Sequence, residues 1–298
     1  EYEPAQKLGD NAVFSVNVQK LYEFAKQVLN EREATVLNQE NSILWQDLVK
    51  ISSSPGGKRP KAIVALNKGT GEVISGQGII PEGFQHYILK YDDNSAYPYA
   101  KLEYVYYRMA LDAGIEMMPS ELRTYDGVTH FLTQRFDREG NEKIHTQTLA
   151  AMLPTSDSYE DIFSVIRRLN LPYEDSRQHF LRMVFNVTTR NVDDHSKNFS
   201  FCMNKKGIWR LSPAYDLTYS VDLTAPAYSN RHSLTINGKN EDITREDLGT
   251  VGQNNDIQDY NALIDTVYNA VAKFESHARE LRIDEKLIKS IQEDFIKV

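Results

Sequence analysis

The chain is short of several things at once. Of its 298 residues only one, Cys202, is a cysteine. A lone thiol excludes a disulfide framework and a thiolate zinc site. The seven histidines never fall three to five residues apart, so a histidine-based structural zinc is not expected either. Apolar runs such as residues 62–66 are far too short to cross a bilayer, and no segment joins a charged start to an apolar middle as a secretory leader does. A basic excess is missing too: the net charge is -8, which argues against a dedicated nucleic-acid surface. With 41% hydrophobic and 26% charged residues, the expectation is a soluble cytoplasmic protein with no membrane role, long enough for two packed lobes.

Apolar spacing of three and four residues predicts a helix over residues 17–30, capped by Asn17, and a shorter one over 42–51. Residues 52–61 read as a flexible polar loop. Runs at 62–66 and 73–75, joined by a turn, predict a hairpin, and 84–91 a third strand with Lys90 near its end. A helix runs from Pro98 to about residue 113 and stops at Gly114. Strands follow around 121–125 and 130–136. Beyond Asp137 helical periodicity dominates, at 146–153, 159–170, 175–189, 254–275 and 284–297, with one β signal at 199–203 and 208–211. The order predicts an α+β chain of two lobes, a β-rich one over 1–136 and a helical one over 137–298, with a hinge near 134–138 and a cleft suited to a ligand.

The densest chemistry lies in Asn191-Val192-Asp193-Asp194-His195-Ser196-Lys197-Asn198. Such a concentration of polar groups needs solvent or a ligand to satisfy it. An Asp followed five positions later by an Asn is the spacing by which a kinase-type loop supplies a base and a magnesium ligand. Asp193 would accept the proton of an attacking hydroxyl, and Asn198 would hold the metal through its amide oxygen. Lys197 could stabilise charge on the transferred group. Asp216, just past a strand, would be the second metal ligand. Asp194 and His195 read as scaffold, His195 as a hydrogen-bonding residue. An Asp-Asp-His cluster also fits a metal hydrolase, but that reading needs histidines the chain does not supply at useful spacing. Phosphoryl transfer further calls for a lysine on the β-lobe and a carboxylate to hold it, which Lys90 and Glu103 offer in sensible order. Taken alone, a strand-end lysine and a helical glutamate most often face water. The loop with Gly56, Gly57, Lys58, Arg59 and Lys61 suits phosphate, although it is neither a Walker A loop nor the glycine-rich loop of ordinary protein kinases. Gly76-Gln77-Gly78 reads as turn chemistry.

These segments, in this order, resemble the HipA-type serine/threonine kinases, the toxins of bacterial HipA–HipB toxin–antitoxin pairs. Residues 191–201 resemble that family's catalytic signature, and Leu211-Ser212-Pro213-Ala214-Tyr215-Asp216-Leu217 its second metal-binding motif. Residues 54–62 resemble its phosphate loop, and Gln134-Arg135-Phe136-Asp137-Arg138 its hinge. The resemblance implies a protein-kinase-like fold and an ATP- and magnesium-dependent protein kinase. Asp193 would be the base, Asn198 and Asp216 the magnesium ligands. Lys90 would contact the phosphates and be held by Glu103, and the backbone of Gln134 and Phe136 would contact adenine. Ser54 would be autophosphorylated. A split form of the family carries two serines one residue apart, a spacing that Ser52 and Ser54 share with Ser53 between them, so the choice among the three stays open. The implied partner is a HipB-like DNA-binding antitoxin through which any DNA contact would run, and the family-level substrate is an aminoacyl-tRNA synthetase. Full-length members carry a further N-terminal subdomain. Glu1-Tyr2-Glu3-Pro4-Ala5 resembles the motif near its end, which implies a fragment or a removed start. A small-molecule phosphotransferase and a non-catalytic antitoxin-binding co-repressor are the alternatives.

Overall fold

The computed structural model describes residues 61–92, 97–125, 127–222 and 230–297. The helices expected at 17–30 and 42–51, and with them Ser52, Ser53, Ser54, Gly56, Gly57 and Lys58, lie outside the described residues. The chain divides into two compact units, one drawn from residues up to Ala100 together with Pro119–Lys143, the other from Lys101–Met118 together with Ile144 onward. Among the described residues no helix is long and apolar enough to cross a membrane.

The first unit is built on an antiparallel five-stranded sheet. Its strands are β1 (Lys61–Asn67), β2 (Val73–Ser75), β3 (Phe84–Lys90), β4 (Ser120–Tyr125) and β5 (Val128–Gln134), in the order β2-β1-β3-β5-β4. Strand residues alternate between faces. Ala62, Val64 and Leu66 therefore join Tyr87, Leu89 and Leu132 in one cluster, while Ala65 packs with Ile74 and Ile80 in another. Both faces of β1 are buried, which is why it reads as a continuous apolar run rather than an alternating one. A small hairpin, β6 (Arg138–Glu139) with β7 (Glu142–Lys143), escaped the sequence reading. Asn141 at its tip accepts from Ile80 N–H (2.7 Å) and donates to Ile80 O (3.0 Å), so one residue of the hairpin turn fixes a distant loop with two bonds.

Among the described residues the second unit holds most of the helices. The first is α1 (Tyr99–Asp112), whose buried face of Leu102, Val105, Tyr106, Met109 and Ala110 is the stripe the spacing predicts. Its contacts place nearly all of it in the second unit, where the sequence reading assigned it to the first. The reason is visible at Tyr106: its ring meets Phe185, Phe274 and Phe295 edge-on, and its hydroxyl donates to Thr189 O at 2.6 Å. Among the described residues the remaining helices are α2 (Leu149–Met152), α3 (Tyr159–Arg168), α4 (Tyr173–Thr189), α5 (Arg245–Asn254), α6 (Tyr260–Val271), α7 (Phe274–Glu280) and α8 (Glu285–Asp294). A three-stranded sheet in the order β10-β9-β8 combines β8 (His145–Thr148), β9 (Ser200–Met203) and β10 (Trp209–Leu211).

Two helical expectations are corrected. Residues 146–153 begin as β8, paired with β9 from His145↔Met203 to Thr148↔Ser200, and only Leu149–Met152 is helical. Residues 254–275 are not one helix: α5 ends at Asn254, Asp256 and Asp259 adopt left-handed backbone, and a new helix starts at Tyr260. The left-handed residues cannot continue an α-helix, so the chain turns there.

Candidate active site

Helix α4 delivers the chain to the site. It is buried along most of its length, yet one face carries Asp175, Gln178, Arg182 and Asn186, all 3% exposed or less. Spacings of three and four residues put them in one row. Asp175 accepts from Arg210 Nε (2.9 Å), and Gln178 satisfies Gly114 O and Glu116 N–H. Asn186 donates to the Tyr159 hydroxyl (2.8 Å) and accepts from Asn191 Nδ2 (3.0 Å). Arg182 is buried with no hydrogen-bond partner for its Nε among the described residues, and burial lowers its pKa to about 10, so it stays charged at neutral pH. The helix ends at Arg190, which takes the left-handed conformation (φ 58°) and turns the chain sharply into residues 191–198.

Within that loop the two adjacent aspartates have opposite environments. The Asp194 side chain is 0% exposed. Its carboxylate accepts from the Tyr159 hydroxyl, His232 Nδ1 and Ser233 N–H, each at 2.7 Å. Burial, then the neighbouring Asp194 charge, pushes the Tyr159 phenol well above its usual range, so it remains a donor. Asp194 is therefore a scaffold group, as expected. Asp193, by contrast, has a side chain 71% exposed, and His195 Nε2 lies 3.9 Å from its carboxylate. Its main chain is held on both sides: the N–H donates to Ser220 Oγ (3.0 Å) and the carbonyl accepts from Asn198 Nδ2 (2.9 Å). The structure thus presents one solvent-facing carboxylate on a backbone that is tied down. The His195 ring makes no hydrogen bond among the described residues, so the hydrogen-bonding role expected of it is not seen there.

Asn198 sits in a short 3-10 turn, Ser196–Asn198. Because its amide nitrogen is engaged by Asp193 O, its Oδ1 is the atom left to face a cation. Asn198 and Asp216 line one small cavity, together with Arg182, Asn186, Asn191 and Asp194. Asp216 has left-handed backbone (φ 55°), which an Asp tolerates better than most residues and which marks a constrained position. The residues before it are anchored by Ala214 N–H to Glu116 O (2.8 Å) and Ser212 N–H to Ser200 O (2.9 Å). Among the described residues no three His, Cys, Asp or Glu side chains form a metal-holding group. The Asn198–Asp216 pair instead mixes a carboxamide with a carboxylate. Two hard oxygen donors fit magnesium, which keeps waters and substrate oxygens in its other positions. Lys197 is exposed, and its carbonyl accepts from the Tyr215 hydroxyl at 2.8 Å.

The other candidates stand elsewhere. Lys90 closes β3, with its Nζ 5.8 Å from the centre of the Phe131 ring. Glu103 is buried on α1. Gln134 ends β5 with its N–H already given to Pro119 O (3.0 Å), and Phe136 is half-buried just beyond. The sequence reading missed Arg182, Asn186, Tyr159, Ser220 and His232. Only the first two left a local signal, as polar residues in register inside an apolar helix.

The model of the HipA-like C-terminal domain family matches residues 53–295. A putative kinase, Y4mE of Sinorhizobium fredii (strain NBRC 101917 / NGR234), is 28% identical over 130 residues, which is 38% of this chain. That alignment spans 31% of the relative's length. Among solved structures, a complex of HipA, HipB and operator DNA from the Shewanella oneidensis MR-1 toxin–antitoxin system contains a chain that matches with a TM-score of 0.64. The identity there is 17%, over 98% of this chain and 72% of that one, so the likeness is one of fold. The chain belongs to the HipA-like C-terminal domain family.

Proposed function

We propose that the protein is an ATP- and magnesium-dependent serine/threonine protein kinase of the HipA type. The observation that carries the reading is the arrangement in the second unit. Asn198 and Asp216 line one cavity, and Asn198 also ties the backbone of the exposed Asp193. Asp193 takes the proton of the acceptor hydroxyl as that oxygen bonds to the γ-phosphorus and the bond to the bridging oxygen breaks, releasing ADP. Asn198 Oδ1 and the Asp216 carboxylate would hold magnesium, which supplies charge neutralisation on the phosphates when bound. Lys197, exposed beside the base, is assigned to charge on the transferred group. Lys90 for the phosphates, and Gln134 and Phe136 for adenine, enter on the family resemblance. So does autophosphorylation among Ser52, Ser53 and Ser54. The Shewanella HipA was solved with HipB and operator DNA. By that likeness this chain is the toxin of a toxin–antitoxin pair with a HipB-like antitoxin as its partner; an aminoacyl-tRNA synthetase as substrate class enters on the family resemblance alone.

Calorimetry tests the metal assignment. ATP should bind the wild type more tightly in magnesium than in a chelator, and the difference should vanish in Asp216→Ala. Equal affinity in both conditions for the wild type would overturn it. Mass spectrometry after incubation with ATP should find phosphate on residues 52–54. Phosphate appearing only on small molecules would instead make the protein a small-molecule phosphotransferase.

A further inference from the structure

We infer that Ser220 is a positioning residue that locks the catalytic loop to the segment bearing Asp216; the inference rests on the kinase reading above. Ser220 lies four residues after Asp216 in the chain, and its side chain turns back to the 191–193 backbone. Its Oγ accepts from Val192 N–H at 2.7 Å and from Asp193 N–H at 3.0 Å, and it donates to Asn191 Oδ1 at 3.3 Å. A serine hydroxyl has one proton to give and two lone pairs, so the group is fully used and its rotor has one orientation. The Asn191 Nδ2 then donates to Asn186 Oδ1 (3.0 Å) and reaches Asp216 O at 3.5 Å. Ser220 N–H adds a bond to Arg190 O at 3.4 Å. One hydroxyl and one carboxamide thus join the end of α4, the base and the metal-ligand segment into a single unit.

The arrangement matters because, among the described residues, the Asp193 side chain accepts no hydrogen bond that would position it. The Asp193 carboxylate is exposed, and among the described residues the ion-pair distance it makes is the long one of 3.9 Å to His195 Nε2. Its placement must come from the main chain, which is gripped by Ser220 on the nitrogen side and by Asn198, itself a proposed metal ligand, on the carbonyl side. Losing the first grip frees the base relative to the cavity that Asp216 and Asn198 line. Phosphoryl transfer depends on such placement, and a shift of about 1 Å in a reacting group can cost on the order of a hundredfold in rate.

The test uses the full chain with Ser220→Ala and Ser220→Thr. Ser220→Ala should lower kcat by at least about tenfold while KM for ATP changes little, because no proposed nucleotide contact is removed. Amide hydrogen exchange at Val192 and Asp193 should speed up in the same variant. Ser220→Thr, which keeps the hydroxyl, should recover most of kcat and the slow exchange. An active wild type whose Ser220→Ala variant keeps its kcat and its exchange protection overturns the inference alone. So does a kcat loss that merely tracks the unfolded fraction seen by circular dichroism. A wild type with no phosphoryl transfer overturns the kinase reading and removes this role with it.

Discussion

Replacing Asp194 by alanine should unfold the protein more readily, whereas the same change one residue earlier should not. The Asp194 side chain is 0% exposed and receives three donors at 2.7 Å: the Tyr159 hydroxyl, His232 Nδ1 and Ser233 N–H. Alanine strands all three in a buried site. An orphaned buried donor costs roughly 1–3 kcal/mol, and more where the acceptor removed is a carboxylate. The contributions overlap, so about 4 kcal/mol is the reasonable total. That corresponds to a fall in Tm of about 10 °C for a chain of this size. Urea unfolding followed by circular dichroism should show a lower midpoint at unchanged slope. The Asp193 side chain is 71% exposed, so its alanine variant should stay within about 0.5 kcal/mol of wild type. A cost below about 1 kcal/mol for Asp194→Ala, or a larger cost at Asp193 than at Asp194, would refute the assignment of scaffold and chemistry to these neighbours.

Two further outcomes follow from burial and backbone geometry. Burial lowers the His179 pKa to about 3, and those of His86 and His130 to about 4, all below the ordinary value of 6.5. As pH falls below that value the unfolded chain takes up protons that the folded one refuses, so stability present above it drains away toward about pH 4. His179 alone, enclosed by Tyr159, Phe163 and Phe199, should cost about 2 kcal/mol between about pH 6.5 and about pH 5. His179→Phe should flatten the acid limb of the stability curve, and an unchanged limb would contradict this. In the first unit, a Cβ on Gly76 would meet Val64 O at 2.5 Å, whereas one on Gly78 would meet open space and suffer only its positive φ of 79°. Gly76→Ala should therefore cost about 1–3 kcal/mol through overpacking, and Gly78→Ala about 1–2 kcal/mol through strain, measured by the same urea midpoints. A silent Gly76→Ala would count against the close packing of β1 there.

The parts of the fold that were legible were those with local causes. The apolar run of β1, the stripe of α1 and its stop at Gly114 (φ 74°) all follow from residues a few positions apart. The five-residue spacing of Asp193 and Asn198 was legible for the same reason, since Asn198 Nδ2 reaches back to Asp193 O within one turn. What escaped depends on distant partners. His145–Thr148 is wholly polar and becomes a strand only because β9 pairs with it. Helix α5 hides behind Gly249 and Gly252, which argue against a helix in sequence but allow Tyr260 to pack close: a Cβ on Gly252 would come within 2.9 Å of the Tyr260 Cβ. Its capping box, Thr244 with Asp247, was the local signal available. Ser220 and His232 stand 27 and 38 residues from their partners Asp193 and Asp194, beyond the reach of any periodicity argument.

The most direct test of the account is phosphoryl transfer itself. Wild type and Asp193→Ala would be incubated with γ-labelled ATP and magnesium, and the label on protein followed over time. The account predicts magnesium-dependent label on the wild type and a loss of about a hundredfold or more in Asp193→Ala, the range expected when a general base is removed, from a variant that remains folded. Label that persists undiminished in Asp193→Ala would contradict the role assigned to the exposed carboxylate on which the whole reading turns.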